Sequence, residues 1–139
     1  MNDYLQLLSR VLISIVFITF GFLQFSTNDV YIANPGVVKF AAMTGGILTP
    51  TIIAYLVATI DLVGGILILV GFQTRWVTPV VIAFVILTLF MVHNFWTMEG
   101  PARAANQAHF YKNLALIGGL LMLYAFGPGR YSVDARIRS

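Results

Sequence analysis

The 139-residue chain contains no cysteine. That excludes disulfides, a CxxC redox pair, thiolate metal sites and a thiol nucleophile. Charge is scarce as well. Asp, Glu, Lys and Arg together make up 9% of the residues, against about 25% in soluble domains. A water-facing surface cannot be built from that inventory. With 59% hydrophobic residues, the chain reads as a membrane protein with length for a handful of spans. Its net charge of +3 rests on isolated groups near segment ends, not on a basic stripe. It is therefore a topology signal and not the footprint of a nucleic-acid binder. No A-x-A-like cleavage site follows the first apolar stretch, which is expected to be retained as a helix.

Four apolar segments can be traced: about 5–25, 51–72, 77–96 and 109–126. Each is close to the roughly 20 residues that cross 30 Å of hydrocarbon. Lys112 interrupts the fourth, which spans only if that lysine snorkels or faces other helices. Thr49-Pro50 supplies an N-cap and an N1 proline for the second segment. Thr78-Pro79 or Thr74 opens the third, and Gly127-Pro128-Gly129 stops the fourth. Between the first two segments, Asn34-Pro35 and Gly45-Gly46 bracket an apolar stretch that reads as a short interfacial helix, about 35–44. These features predict an all-α fold, a transmembrane antiparallel four-helix bundle formed by the whole chain, 1–139. Arg10, Arg75, Arg130, Arg136 and Arg138 would face one side; Lys39, Arg103 and Lys112 would face the other. The excess puts both termini in the cytoplasm. The loops 26–49 and 97–108 would lie outside.

The run Leu62-Val63-Gly64-Gly65-Ile66-Leu67-Ile68-Leu69 is echoed by Leu116-Ile117-Gly118-Gly119-Leu120-Leu121-Met122-Leu123. Either two glycine-bearing apolar helices coincide, or two related hairpins are present. In both cases the Gly-Gly pairs allow close backbone approach.

Asp61 is alone in the middle of the second apolar run. A carboxylate at bilayer depth is costly and faces other helices with a partner. Arg10 and Lys112 are the cations at comparable depth. Arg10 is favoured, because its planar fork suits a carboxylate, and a buried Arg10–Asp61 ion pair is expected. Such a pair serves either helix packing or a proton or ligand site.

His93-Asn94-Phe95-Trp96 closes the third span, and His109 to Asn113 opens the fourth. Antiparallel neighbours with a short connection bring these clusters together on the outer side. The candidate ligand pocket comprises Gln24, His93, Asn94, Trp96, Lys112 and Asn113. An interfacial aromatic belt with a satisfied histidine is the alternative reading. Two histidines near one surface, with Glu99 as the available carboxylate, make neither a metal centre nor a haem site.

Taken in order, the early arginine, F-I-T-F-G-F-L-Q-F (17–25), Asp61 before Leu-Val-Gly-Gly, G-F-Q-T-R (71–75), H-N-F-W (93–96), F-Y-K-N-L-A-L-I-G-G (110–119) and G-P-G-R-Y-S-V-D (127–134) resemble the DoxX family of small four-span bacterial membrane proteins. The resemblance runs from about Leu8 to Arg136. The chain departs from the family pattern at Gln24, where lysine is frequent, and at Asp61, where glutamate is more usual. The resemblance implies the bacterial inner membrane. It also implies association with oxidoreductases, since the family takes its name from a subunit of a terminal quinol oxidase or thiosulfate:quinone oxidoreductase.

Three functions stay open on this reading. The first is an accessory or scaffold subunit of an oxidoreductase or oxidative-stress system, with a soluble or membrane oxidoreductase as partner. The second is a small redox enzyme that binds quinone in the outer pocket; a quinone is the one cofactor considered, and none is intrinsic. The third is a carrier of a proton or small solute that uses Asp61. The lipid bilayer is an expected partner, a homo-oligomer is left open, and nucleic acid is not expected.

Overall fold

The structure, a computed structural model, describes residues 2–138, and every element among them is helical. Helix α1 (Asp3–Ser26) starts at Asn2, whose side chain accepts a hydrogen bond from the Tyr4 amide. Two short helices follow, α2 (Asn28–Ile32) and α3 (Pro35–Met43). Asn34 caps α3 through the Gly36 amide. Helix α4 (Pro50–Val70) is capped by Thr49 and closed by Gly71 in the left-handed region, φ 67°. The Phe72 amide bonds back to the Leu67 carbonyl, a Schellman-type ending. Helix α5 spans Thr74–Met91, and a 3₁₀ turn follows at Phe95–Thr97. Helix α6 (Gly100–Phe126) and the short α7 (Val133–Arg138) complete the chain.

Three of the apolar segments are helices long and apolar enough to cross a membrane: Asp3–Ser26, Pro50–Val70 and Thr74–Thr97. Only 22–39% of their apolar windows is buried within the protein, so most of that surface requires hydrocarbon around it. The fourth segment behaves differently. Helix α6 begins at Gly100, not at 109, and is 27 residues long. Residues 100–108 of the stretch expected as a loop at 97–108 are therefore the first part of a helix that carries Arg103, Asn106, His109 and Lys112. The α5 helix starts at Thr74 and places Pro79 inside it. Thr78 Oγ1 donates to the Thr74 carbonyl at 2.7 Å, so its hydroxyl is satisfied within the helix, one residue before the proline.

Helix α1 lies along α4 in antiparallel register. A Cβ on Gly21 would meet the Leu62 amide nitrogen at 2.6 Å, and one on Gly65 would meet Phe17 and Ile18 at 2.9–3.0 Å. The backbones are thus in direct contact at these two glycines. The echoed pair on α6 does not work this way. Gly118 has nothing within reach of a Cβ, and Gly119 meets only the side chain of Ile13. Helix α4 packs on α5, α5 on α6, and α6 on α1. Phe17, Ile68, Val81, Val85, Leu120 and Leu123 form the main core between them. Helix α3 does not merely lie on the surface: Val37 and Ala41 are buried against Ile53 of α4.

The tail is anchored to the start of the chain. Arg10 is 1% exposed. Its Nη1 donates to the Pro128 carbonyl (2.8 Å) and its Nη2 to the Tyr131 carbonyl (2.6 Å). Asp134 accepts from the backbone amides of Gln73 (2.7 Å) and Thr74 (2.8 Å). It thereby caps α5 from 60 residues away, where Gln73 itself gives no side-chain cap.

Candidate functional site

The expected Arg10–Asp61 ion pair is not formed. The antiparallel register of α1 and α4 sets Arg10 beside Gly71, ten residues and about 15 Å along α4 from Asp61. The guanidinium fork is used on two carbonyls of the tail instead. The same register sets Gln24, fourteen residues further along α1, next to Asp61. Gln24 Nε2 donates to Asp61 Oδ2 at 2.9 Å. Both side chains are buried. The other amide atom, Gln24 Oε1, is buried with no partner among the described residues.

Asp61 and Gln24 form part of the wall of a cavity of about 320 Å³ enclosed by α1, α4, α5, α6 and the α2–α3 segment. From α6 come Asn106, His109, Lys112 and Asn113; His93 enters after the end of α5, and Tyr31 and Asn34 line it from the α2–α3 segment. Two of the sequence candidates fall outside. Asn94 starts the 3₁₀ turn, where its carbonyl accepts from Thr97 Oγ1. Trp96 is 48% exposed and stacks among Phe90, Phe95 and Phe110. The reason is the early end of α5: the chain turns at Phe95–Thr97 and swings the indole outward.

Local bonds fix the cavity's polar groups. Asn106 Nδ2 donates to the Ala102 carbonyl at 2.9 Å, so its Oδ1 is the atom facing His93. An amide oxygen only accepts, so His93 Nδ1 carries the proton in this 3.0 Å contact and Nε2 is left as an acceptor. The His93 and His109 rings stack with centroids 5.1 Å apart. Lys112 Nζ sits 3.9 Å from the centroid of Phe20, a cation–π contact that holds the ammonium in the bundle. Burial, and then the charge of Asp61, push the Tyr31 phenol above its ordinary pKa, so it remains an O–H donor in the cavity lining. The result is a compartment with Asp61, Gln24 Oε1 and His93 Nε2 as acceptors, Lys112 and Tyr31 as donors, and apolar walls from Phe17, Val57 and Phe84.

Comparison with known proteins bears on the membrane assignment. The sequence model of the DoxX family matches residues 5–94. The chain is 32% identical to "Inner membrane protein YphA" of Escherichia coli over 132 residues, 95% of this chain and 89% of that protein. It is 32% identical to "Inner membrane protein YqjF" of the same organism, covering 96% and 92% of the two chains. A shorter likeness, 31% identity over 72 residues, joins half of this chain to 24% of the "Surfeit locus protein 4 homolog" of Schizosaccharomyces pombe. No solved structure matches the chain.

Proposed function

Because the chain belongs to the DoxX family of membrane proteins, we propose that it is a four-span inner-membrane subunit that binds a quinone head group in the Asp61–Lys112 cavity and serves an oxidoreductase partner. In this arrangement α6 is the fourth span. It is sheltered on the α1 and α5 sides, with Lys112 turned into the bundle. Both termini lie in the cytoplasm and the cavity opens to the outside. Reporter-enzyme fusions test that topology: alkaline phosphatase is active when inserted at 97–99 and inactive at the C-terminus, and the reverse pattern inverts it.

One observation carries the reading. Inside apolar helices, a single cavity holds hydrogen-bond acceptors on α1 and α4 and a cation on α6. Its 320 Å³ lies at the lower end of ligand cavities, about 300–1,000 Å³, which suits one ring and not a dinucleotide. Quinone carbonyls accept, and Lys112 and Tyr31 offer donors. Quinol hydroxyls donate, and Asp61 and Gln24 Oε1 offer acceptors. The chain has no thiol of its own for electron transfer, which is why a partner forms part of the reading.

Calorimetric titration of the detergent-solubilised protein with a short-chain benzoquinone tests it. Saturable binding that is lost in Lys112→Met and Asp61→Asn is the expected result. Trp96 fluorescence in a Trp76→Phe background gives a second readout, since Trp76 sits at the opposite end of α5. Unsaturable signals that the substitutions do not alter overturn quinone binding and leave a scaffold subunit without a ligand.

A further inference from the structure

The polar cavity is not the only space between the helices. A second one, of about 150 Å³, lies between α3, α4 and α5. Its walls are hydrocarbon: Phe40 and Val37 from α3, Ile53 and Ile60 from α4, Met91 from α5. The two spaces share Val37, Val57, Phe84, Thr88 and Val92, so these residues form the boundary between them. Thr88 turns its hydroxyl to the Phe84 carbonyl at 3.0 Å, which spends its polarity within its own helix. At the other end, Leu56 and Leu87 border the apolar space and are themselves 48% and 45% exposed. They lie on the helix surfaces that face lipid, so the apolar space is a groove open to the bilayer.

A cavity with a buried, unpartnered acceptor (Gln24 Oε1) that adjoins a hydrocarbon groove has the two halves of an amphiphile site. Resting on the quinone reading above, we infer that the groove between α4 and α5 holds the first part of the quinone's isoprenoid chain, and that the ligand enters sideways from the membrane past Leu56 and Leu87. A water-soluble ligand needs no such exit. A chain attached to a ring beside Asp61 cannot stay in the polar cavity, because desolvated polar groups line it, and the shared boundary at Val57, Phe84 and Thr88 is where it crosses to the apolar groove. Glycine at position 36 keeps the groove's upper edge tight, since a Cβ there would collide with the Met91 carbonyl.

The test uses the full protein in nanodiscs and a benzoquinone that carries a diazirine on the first segment of its chain. Saturable photolabelling of Ile60, Leu56, Leu87 or Met91, competed by unlabelled chain-bearing quinone, is expected. Ile60→Trp fills the groove without touching the polar cavity. It should weaken binding of the chain-bearing quinone at least tenfold and leave a chainless benzoquinone within about twofold. Labels on α1 or α6, or labelling that never saturates, overturn the inference while head-group binding stands. Absence of saturable benzoquinone binding in the calorimetric titration overturns the quinone reading and this inference with it, whereas failed groove labelling with that binding intact overturns this inference alone. If Ile60→Trp does not fold, the labelling of the unsubstituted protein decides.

Discussion

Gln24 Nε2 and Asp61 Oδ2 are joined by a 2.9 Å hydrogen bond inside the bundle, at the midpoint of a 21-residue apolar helix. A neutral amide cannot neutralise a carboxylate. Among the described residues, the cation sharing the cavity with Asp61 is Lys112. Asp61→Asn therefore leaves Lys112 without its counter-charge, and Lys112→Met leaves Asp61 without its own. A charged buried hydrogen bond contributes about 1.5–3 kcal/mol, so Gln24→Leu is expected to destabilise by about that amount. In double-mutant cycles read by thermal unfolding in detergent, Asp61 and Lys112 should couple by more than about 0.5 kcal/mol, the usual limit of additivity. Asp61 and Arg10 should not. The opposite pattern would restore the Arg10 pairing.

Arg10 ties two carbonyls of the tail, Pro128 and Tyr131, to the first helix. Lysine has one point charge where arginine has a fork, so Arg10→Lys reaches one carbonyl and not both. Arg10→Met leaves both half-buried carbonyls without this donor. Each charge-assisted bond is worth about 1.5–3 kcal/mol. Limited proteolysis should cut after Arg130 in Arg10→Met at least several times faster than in the unsubstituted protein, with Arg10→Lys between the two. Equal cutting rates would show that the tail is held by Asp134 alone.

Asp134 sets an acid limit on stability. Burial disfavours its charge, but the amides of Thr74 and Gln73 outweigh that and hold its carboxyl below the usual range. A group whose folded pKa is depressed stabilises fully above its unfolded value, about 3.9, and that contribution fades as pH falls through the folded pKa. The expected loss thus lies below about pH 3.9. Asp134→Asn should lower the melting temperature at neutral pH and flatten its dependence in that acid window. An unchanged acid limb in Asp134→Asn assigns the pH dependence to other carboxylates.

The helical elements were legible because their signals are local. Asn34-Pro35 and Thr49-Pro50 mark helix starts by their own backbone preferences, and the apolar length of the first three long segments is read directly. The proximity of His93 to Lys112 was also legible, since it follows from two antiparallel helix ends. Partner choice was not. Depth along a helix placed Arg10 and Asp61 only roughly, and the register set where Gly21 of α1 and Gly65 of α4 meet the opposite helix separated them by about 15 Å. That register paired Asp61 with Gln24, a neutral side chain with no charge to attract notice. Asn106 was hidden because α6 begins nine residues early, in a stretch whose polarity reads as loop. The 60-residue cap from Asp134 to α5 had no local signal: in sequence, Asp134 is one acidic residue in a charged tail.

The two Gly-Gly pairs give a prediction in which similar sequences behave differently. On α4, Gly65 faces the α1 backbone, and its partner across the seam, Gly21, faces Leu62. A methyl group at either position meets atoms at 2.6–3.0 Å, some of them backbone. The helices must separate to admit it, and overpacking of this kind costs about 1–3 kcal/mol. Separation of α1 from α4 also stretches the Gln24–Asp61 bond. On α6, Gly118 has open space where the methyl would go, and alanine is the better helix former by about 0.5–1 kcal/mol. Gly21→Ala and Gly65→Ala should therefore lower the melting temperature in detergent, and Gly118→Ala should leave it unchanged or raise it. If all three substitutions destabilise equally, the α6 pair is also a packing seam, and its open face in the single chain is covered by another molecule in the membrane.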